Sequence, residues 1–424
     1  MLNTRLDQLD SYPFARLRTL LDPIAPPTGI EPVWLSVGEP KHTPPAFVEA
    51  ILRANAADWT RYPPKDGTAD FRDACCGWLD RRFPGAAGRF GTDCVLPVSG
   101  TREGLFMAAL LAVDDTGPRG KPPLAAPLAA MPNPAYAPYE AAAVMAGAQP
   151  VFLPSLAENG FVPDVSSLDA ATLDRLSVYY LCSPTNPEGA LIPADTLDRA
   201  IRLAVAHDFV LIVDECYIDL YSGDTPPPGA LERVAALSGE LPQAAEHVLV
   251  FQSLSKRSNI AGMRSGFVAG GKDIISRFDR LRSYASAGMP LPVQAVSAAL
   301  WRDDGHAAEN RRLYADKVRL AEDLFGQTGP RAGFFYWLDV TRFGLDGVTA
   351  TKLLWEQTGV RVLPGAYLAH DDAEGRNPAA ARIRLALVHP METLAPALER
   401  AAACLKAAKA PGRMVAEGVA ADGG

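Results

Sequence analysis

Cysteine is scarce in this sequence, and long apolar runs are missing. The cysteines show neither a C-x-x-C spacing nor the density of a disulfide framework; they are Cys75, Cys76, Cys94, Cys182, Cys216 and Cys404. A reduced, cytoplasmic setting is therefore expected. No stretch reaches the roughly 18 apolar residues of a membrane helix, and the opening MLNTRLDQLDSYPF has no apolar signal-peptide core. The sequence thus predicts neither a membrane span nor an export signal.

An excess of basic residues is missing as well. Lysine and arginine together number 41 against 49 acidic residues, which gives a formal net charge of −8. This balance argues against a nucleic-acid or anionic-membrane partner. Hydrophobic residues at 48% and charged residues at 21% describe an ordinary globular protein. At 424 residues the chain is too long for one compact core, so two domains are expected.

Short β-branched and aromatic runs alternate with amphipathic segments between about residues 46 and 290. The strand-like runs are CVLPVSG, SVYYLCSP, FVLIVDE and HVLVFQS. The segments TREGLFMAALLAV and PADTLDRAIRLAVAHD carry apolar residues at helical spacing. This alternation predicts an α/β fold with a mostly parallel, doubly wound sheet.

The pattern changes after about residue 290. A long helical stretch leads there to the strand-like segments FFYWLDV and RIRLALV, as in a smaller α+β domain. The Pro-rich opening predicts an extended arm. We therefore predict an arm over residues 1–45 that packs with the small domain, a large domain over 46–290, a small domain over 291–408 and a flexible tail over 409–424.

Polar and reactive side chains follow several predicted strands. The ends of such strands are where α/β sheets bind their ligands. Gly100 and Thr101 open a helix, which offers an anion site. Asp214 ends an apolar strand, and a buried carboxylate needs a partner there. The other candidates are Tyr136, Asn186, Tyr217, Ser253, Ser255, Lys256 and Arg264. Taken singly, a tyrosine such as Tyr136 is more commonly a core residue than a site residue, and a turn role for Asn186 is at least as common as a ligand contact.

Taken together, the order and spacing of these motifs resemble the fold-type I, pyridoxal-phosphate-dependent aminotransferases of classes I and II. The shared features are GEP, RYPPKDG, the SGT turn, N-P-x-G, D-E-x-Y, S-x-S-K with an arginine eight residues on, and a late RIRLALV. They span nearly the whole chain. Glu188 is a departure, since the family usually has threonine at this turn position.

The resemblance implies a role for each group around the cofactor. Lys256 would bind the cofactor aldehyde and carry a proton between substrate and cofactor. Asp214 would pair with the pyridine nitrogen and keep it protonated. Tyr217 and Asn186 would hydrogen-bond the ring oxygen, and Tyr136 would stack on the ring. The phosphate would be held by Gly100, Thr101, Arg102, Ser253, Ser255 and Arg264.

The resemblance also implies a homodimer and a carboxylate-binding residue. Tyr62 would reach the phosphate bound in the neighbouring subunit. Arg384 would bind the substrate α-carboxylate together with Gly38 and Asn186. Arg382 is the alternative, because strand alternation puts it on the same face. Pyridoxal 5′-phosphate is the one cofactor expected, small amino and keto acids are the expected substrates, and no metal is expected.

A finer resemblance is to the proteobacterial N-succinyl-L,L-diaminopimelate aminotransferases of lysine biosynthesis. It rests on YPFARLRTLL, LSVGEPKHTPPAF, MPNPAYAPYE, VDECYIDLY and above all SLSKRSNIAGMRSGFVAG. Such enzymes exchange an amino group between glutamate and an N-succinylated keto acid with several carboxylates. Additional cations are therefore expected near the cofactor, and the candidates are Lys41, Arg102 and Arg257.

Three other readings compete with this one. The same catalytic set would serve an N-acetylornithine or a broad aspartate/aromatic aminotransferase. A regulator with an aminotransferase-like effector domain is disfavoured, since GEP arrives by residue 38 and leaves no room for a DNA-binding domain. A binding protein with a degenerate site is disfavoured because Lys256, Asp214 and Arg264 are all present.

Overall fold

The computed structural model describes residues 2–114, 126–286 and 288–409. Its strands are β1 (Val33–Trp34), β2 (Val95–Val98), β3 (Leu128–Asn133), β4 (Gln149–Pro154), β5 (Leu176–Cys182), β6 (Val210–Asp214), β7 (Val248–Ser253), β8 (Gly266–Gly270), β9 (Phe335–Asp339), β10 (Val360–Arg361), β11 (Leu363–Pro364) and β12 (Arg382–Ala386). The predicted strand-like runs therefore all form strands.

Helices alternate with these strands along the chain. They are α1 (Pro13–Leu21), α2 (Phe47–Ala54), α3 (Ala69–Arg82), α4 (Thr101–Ala112), α5 (Ala137–Ala146), α6 (Ala170–Leu173), α7 (Ala194–His207), α8 (Ala230–Leu237), α9 (Leu254–Arg257), α10 (Lys272–Ala285), α11 (Leu291–Arg302), α12 (Gly305–Phe325), α13 (Gly347–Thr358) and α14 (Met391–Ala408). Short 3-10 turns join many of them.

Seven strands form the central sheet in the order β2-β8-β7-β6-β5-β3-β4. Strand β8 runs antiparallel to both its neighbours, and all other pairs are parallel. Strands β5 and β7 are buried along their whole length, as expected for a sheet that is covered by helices on both faces. This confirms the predicted α/β fold with a mostly parallel sheet.

The carboxyl ends of three adjacent strands meet at one edge of this sheet. Cys182 of β5 lies opposite Asp214 of β6, and Asp214 lies opposite Phe251 of β7. Strand β7 continues for two residues to Ser253 and passes directly into α9. The register therefore brings the groups that follow β5, β6 and β7 to one place.

The C-terminal part has its own sheet and its own core. Strand β12 pairs antiparallel with β9 and β11. The core of this part includes Leu338, Ile383 and Leu398, all fully buried. The predicted long helical stretch is two helices, α11 and α12, because the chain turns at Asp303 and Asp304.

Helix α11 packs with the larger core, although the predicted small domain begins at residue 291. Its Val296 and Trp301 are buried in the same cluster as Trp78 of α3. The N-terminal arm contacts the C-terminal part, since Val33 pairs with Val360 and Leu17 packs with Trp355. The division into domains stays a prediction, and the predicted tail beyond residue 409 lies outside the described residues.

Candidate active site

A cavity of about 540 Å3 opens at the edge of the sheet where β5, β6 and β7 end. Most of the residues predicted from the sequence line it. They are Gly38, Thr101, Arg102, Tyr136, Asn186, Asp214, Tyr217, Ser253, Ser255, Lys256, Arg264 and Arg384. Segments more than 300 residues apart in sequence thus contribute to one site.

Lys256 lies in the short helix α9, directly after β7. Ser253 caps this helix and accepts a hydrogen bond from the N–H of Ser255 (3.1 Å). The Lys256 ammonium donates to the carbonyl oxygen of Gly38. Burial is the main reason why the pKa of Lys256 falls to about 8. The amine is therefore neutral and nucleophilic near neutral pH far more often than a free lysine amine.

Asp214 presents a buried carboxylate at the end of β6. The carboxylate accepts hydrogen bonds from the hydroxyl of Tyr139 (2.8 Å) and from the N–H of Cys216 (3.2 Å). Burial nevertheless raises the pKa of Asp214, because desolvation disfavours the charged form. A cationic group in the cavity would stabilise this carboxylate in its ionised form.

The turn between β2 and α4 forms an anion-binding corner. Gly100 has φ +84°, and a Cβ added there would overlap the guanidinium of Arg264. The backbone of the turn and this guanidinium are therefore in close contact. Thr101 follows as the first residue of α4, so its hydroxyl and the first N–H groups of the helix lie at the positive end of the helix dipole. This corner suits a phosphate group.

Aromatic side chains and Asn186 form the walls near Asp214. Arg102 donates from Nε to the hydroxyl of Tyr136 (2.8 Å), while burial raises the pKa of Tyr136 to about 12. Tyr217 is buried and meets Phe335 edge to face. Glu188, the departure in N-P-x-G, does not line the cavity. It is buried, and burial raises its pKa to about 8, so the side chain is mostly protonated at neutral pH.

Arg384 is a buried guanidinium that faces the cavity. It donates to Asn186 Oδ1 (3.3 Å) and to the carbonyl oxygen of Ser36 (3.0 Å), but its Nε has no hydrogen-bond partner among the described residues. Burial lowers its pKa to about 10. The rival Arg382 lies outside the cavity, 3.5 Å from the carboxylate of Asp339. Strand alternation could not distinguish Arg382 from Arg384, but in the structure only Arg384 of these two lines the cavity.

Four predicted residues do not line the cavity: Gly100, whose turn contacts Arg264, and Lys41, Tyr62 and Arg257. Lys41 pairs with Glu39, which itself lines the cavity. Tyr62 is fully exposed on a different surface of the subunit. Arg257 is 2% exposed and is paired with Asp219 and Asp304.

The placement of Arg257 corrects the expectation that it reads a substrate carboxylate. Its Nε donates to Asp219 (2.7 Å), and Nη1 donates to the carbonyl oxygen of Leu300 (2.8 Å). Its Nη2 donates to Asp304 (2.7 Å). All three guanidinium nitrogens are therefore engaged away from the cavity, and the side chain joins α9 to the turn between α11 and α12.

Sequence reasoning missed several residues at the site. Tyr139 of α5 does not line the cavity, but its hydroxyl donates to Asp214, and its position three residues after Tyr136 could have indicated it. Tyr12 and Phe14 of the arm line the cavity, as does Phe335 of β9. No local pattern marks these three, because they reach the site only through the tertiary packing of the arm and the C-terminal part.

Most of the chain resembles known proteins in both sequence and structure. The family model described as aminotransferase class I and II matches residues 30–400. The chain belongs to this family. It is therefore an aminotransferase, and the fold-type I resemblance is confirmed.

Individual relatives cover nearly all of the chain. An LL-diaminopimelate aminotransferase of Syntrophobacter fumaroxidans is 30% identical over 93% of this chain and 97% of its own length. The Streptomyces rimosus protein named 4-dedimethylamino-4-oxo-anhydrotetracycline transaminase OxyQ is 33% identical over 81% of this chain and 87% of its own. The crystal structure of an aminotransferase from Neisseria meningitidis superposes with a TM-score of 0.86 at 35% identity, covering 95% of this chain and 99% of that one.

Class I and II aminotransferases depend on pyridoxal 5′-phosphate, and the residues of this cavity fit that cofactor. The Gly100–Arg264 corner suits its phosphate, the buried Asp214 suits a protonated ring nitrogen, and the amine of Lys256 suits its aldehyde. In the described ranges 2–114, 126–286 and 288–409, no helix is long and apolar enough to cross a membrane.

Proposed function

We propose that this aminotransferase exchanges the amino group of L-glutamate with the keto acid of N-succinyl-L,L-diaminopimelate, as a step of lysine biosynthesis in the cytoplasm. The observation that carries the proposal is Arg384, a buried cation that faces the cavity and whose Nε has no partner in the part of the chain that the structure describes. A buried guanidinium of this kind calls for an anionic ligand, and an α-carboxylate is common to both substrates. Several relatives that span most of this chain are named LL-diaminopimelate aminotransferase, which supports a diaminopimelate-type substrate.

The proposed chemistry divides among the residues of the cavity. Pyridoxal phosphate, when bound, supplies the electron sink for the pair released when the substrate Cα–H bond breaks. Lys256 would hold the cofactor covalently, give way to the substrate amine and take the α-proton on Nζ. Asp214 would keep the ring nitrogen protonated, and Tyr139 would orient Asp214 through their hydrogen bond.

Other residues would position the two ligands. Thr101, Arg264, Ser253 and Ser255 would hold the phosphate with the backbone N–H groups of Gly100 and Arg102. Tyr136, Asn186 and Tyr217 would contact the ring, as the family resemblance implies. Gly38 and Asn186 would assist Arg384 at the carboxylate. Lys41 does not line the cavity, but it is paired with Glu39, which does. It stays a candidate for binding a second substrate carboxylate.

We also propose that the enzyme is a homodimer. Tyr62 is fully exposed in the single chain and lies outside the cavity, which supports a role for its hydroxyl at the phosphate of a neighbouring subunit. A site shared in this way would make each subunit inactive alone.

A steady-state comparison of amino donors tests the proposed substrate. We expect kcat/KM with 2-oxoglutarate to be highest for N-succinyl-L,L-diaminopimelate, then L,L-diaminopimelate, and at least about tenfold lower for N-acetylornithine and aspartate. A preference for N-acetylornithine or aspartate would establish one of the alternative aminotransferases instead. A preference for free L,L-diaminopimelate would keep the enzyme in lysine biosynthesis but show that its substrate is not succinylated.

A further inference from the structure

A second cavity, of about 350 Å3, shares a wall with the active-site cavity. Five residues line both: Tyr12, Pro13, Arg102, Ala137 and Leu368. The shared wall consists of the start of α1, the start of α4 and the start of α5, together with the loop after β11. The two cavities therefore adjoin, with these five residues between them.

The second cavity combines an apolar lining with unpaired positive charge. Phe106, Ala141 and Leu368 provide surface against which methylene groups can pack. Arg16 of α1 stacks on Tyr367, with its guanidinium carbon 4.2 Å from the ring centroid. Among the described residues no hydrogen bond or ion pair engages the guanidinium of Arg16, and the guanidinium of Arg102 donates only to the neutral hydroxyl of Tyr136.

The acidic groups of the cavity leave these two arginines available. Glu140 accepts a hydrogen bond from His370 (3.0 Å), and this contact raises the pKa of His370. Asp10 also borders the cavity but is exposed, and within the described part of the chain it has no ion pair with either arginine. The distribution of charged side chains at this surface therefore favours the binding of an anionic group near Arg16 and Arg102.

We propose that this second cavity is the subsite for the distal carboxylate of a long dicarboxylic substrate, with Arg16 as its specificity-determining cation. The inference deepens the proposed function and rests on it for the identity of the natural substrate. The reacting end is held at Arg384 and Lys256, and the methylene chain crosses between Tyr12 and Leu368 to reach Arg16. We expect glutamate, which has only two methylene groups between its α-carbon and its distal carboxylate, to stay in the first cavity, so that Arg16 acts on one half-reaction only.

The first test measures binding of straight-chain acids to the holoenzyme by calorimetry, and so needs no turnover of the natural substrate. Pimelate carries a second carboxylate that heptanoate, of equal chain length, lacks. We expect the wild type to bind pimelate more tightly, and Arg16→Gln to weaken pimelate binding about ten- to a hundredfold while leaving heptanoate and glutarate unchanged. Arg18→Gln is the matched control, since Arg18 is exposed on the same helix and lines neither cavity.

Equal binding of pimelate and heptanoate by the wild type, or equal pimelate binding by wild type and Arg16→Gln, would overturn the subsite. The second test compares single-turnover half-reactions. Arg16→Gln should lower kcat/KM for N-succinyl-L,L-diaminopimelate by about the same factor and alter the glutamate half-reaction by less than about twofold. A wild type that shows the Arg16-dependent preference for pimelate but does not react with either diaminopimelate substrate would confirm the subsite and refute the proposed function.

Discussion

Arg257 and Arg384 are both buried guanidinium groups, but they differ in what surrounds them. Every nitrogen of Arg257 donates to a protein acceptor, and two of its partners are carboxylates. Arg384 meets an amide oxygen and a carbonyl oxygen, and its Nε has no partner within the described chain. The first group is satisfied by the fold itself, whereas the second keeps one donor without a protein acceptor among the described residues. We therefore propose that the first serves stability and that the second binds the substrate carboxylate.

We expect Arg257→Ala to destabilise the protein by about 3 kcal/mol. The change leaves Asp219 with Arg82 as its remaining ion-pair partner and removes the guanidinium hydrogen bonds to Leu300 and Asp304. Chemical denaturation of the apoprotein measures this loss. Lys41→Ala is the control, since its ion pair with Glu39 is exposed and should contribute less than about 1 kcal/mol. An Arg257→Ala variant of wild-type stability with selectively impaired turnover of the succinylated substrate would restore the carboxylate-reading role.

At the scale of elements, the site depends on how β2 passes into α4. The turn needs a left-handed residue, and Gly100 supplies it with φ +84°. The turn also needs a residue without Cβ, because the guanidinium of Arg264 occupies the space that a Cβ would fill. The start of α4 and the arginine after α9 therefore form one corner of the cavity.

Gly100→Ala should weaken pyridoxal phosphate binding by at least about tenfold, since the added methyl group must displace the Arg264 guanidinium. Gly29→Ala is the matched control: Gly29 has φ +80°, but nothing lies within 4 Å of its added Cβ. Both changes should cost a similar backbone strain of about 1–3 kcal/mol, and only Gly100→Ala should lower cofactor affinity in a titration of the apoprotein. Equal cofactor affinity in the two variants would contradict the phosphate corner.

Local sequence patterns predicted the elements better than their contacts. The apolar runs CVLPV, SVYYLC, VLIVD and HVLVFQS all form strands of the central sheet, because burial on both faces leaves a continuous apolar signal. The break between α11 and α12 was missed. The side chain of Asp303 accepts a hydrogen bond from the N–H of Gly305, the first residue of α12, and the spacing of the apolar residues does not indicate this contact. The partners of Arg257 lie 38 and 47 residues away in the chain, and no local pattern indicates such pairings.

At the scale of the whole molecule, the cavity lies between two cores and under the N-terminal arm. The larger core fixes Asp214 and Lys256, the C-terminal sheet fixes Arg384, and the arm adds Tyr12. Motif order along the chain predicted the first two contributions. The third arises only when α1 packs on the C-terminal part through Leu17 and Trp355.

Mixing two inactive variants tests the shared site of the proposed homodimer. A Lys256→Ala subunit paired with a Tyr62→Phe subunit would rebuild one complete site, with Lys256 from one chain and Tyr62 from the other. We therefore expect activity to rise after mixing and refolding at limiting cofactor. Lys256→Ala mixed with Asp214→Asn is the control, because both changes affect a subunit's own site and no complete site can form. No gain over this control would contradict the role of Tyr62 in the neighbouring subunit.

We propose that this chain transfers amino groups through a cofactor bound at Lys256. The most direct test of this role is the absorption spectrum of the purified protein, recorded before and after L-glutamate is added. We predict that the wild type shows the band of covalently bound pyridoxal phosphate, and that glutamate shifts this band while one 2-oxoglutarate is released per site. Lys256→Ala should keep its fold, and its reaction with glutamate should be slower than that of the wild type by several orders of magnitude. A wild-type spectrum that glutamate leaves unchanged, or a Lys256→Ala variant that reacts as fast as the wild type, would contradict the account.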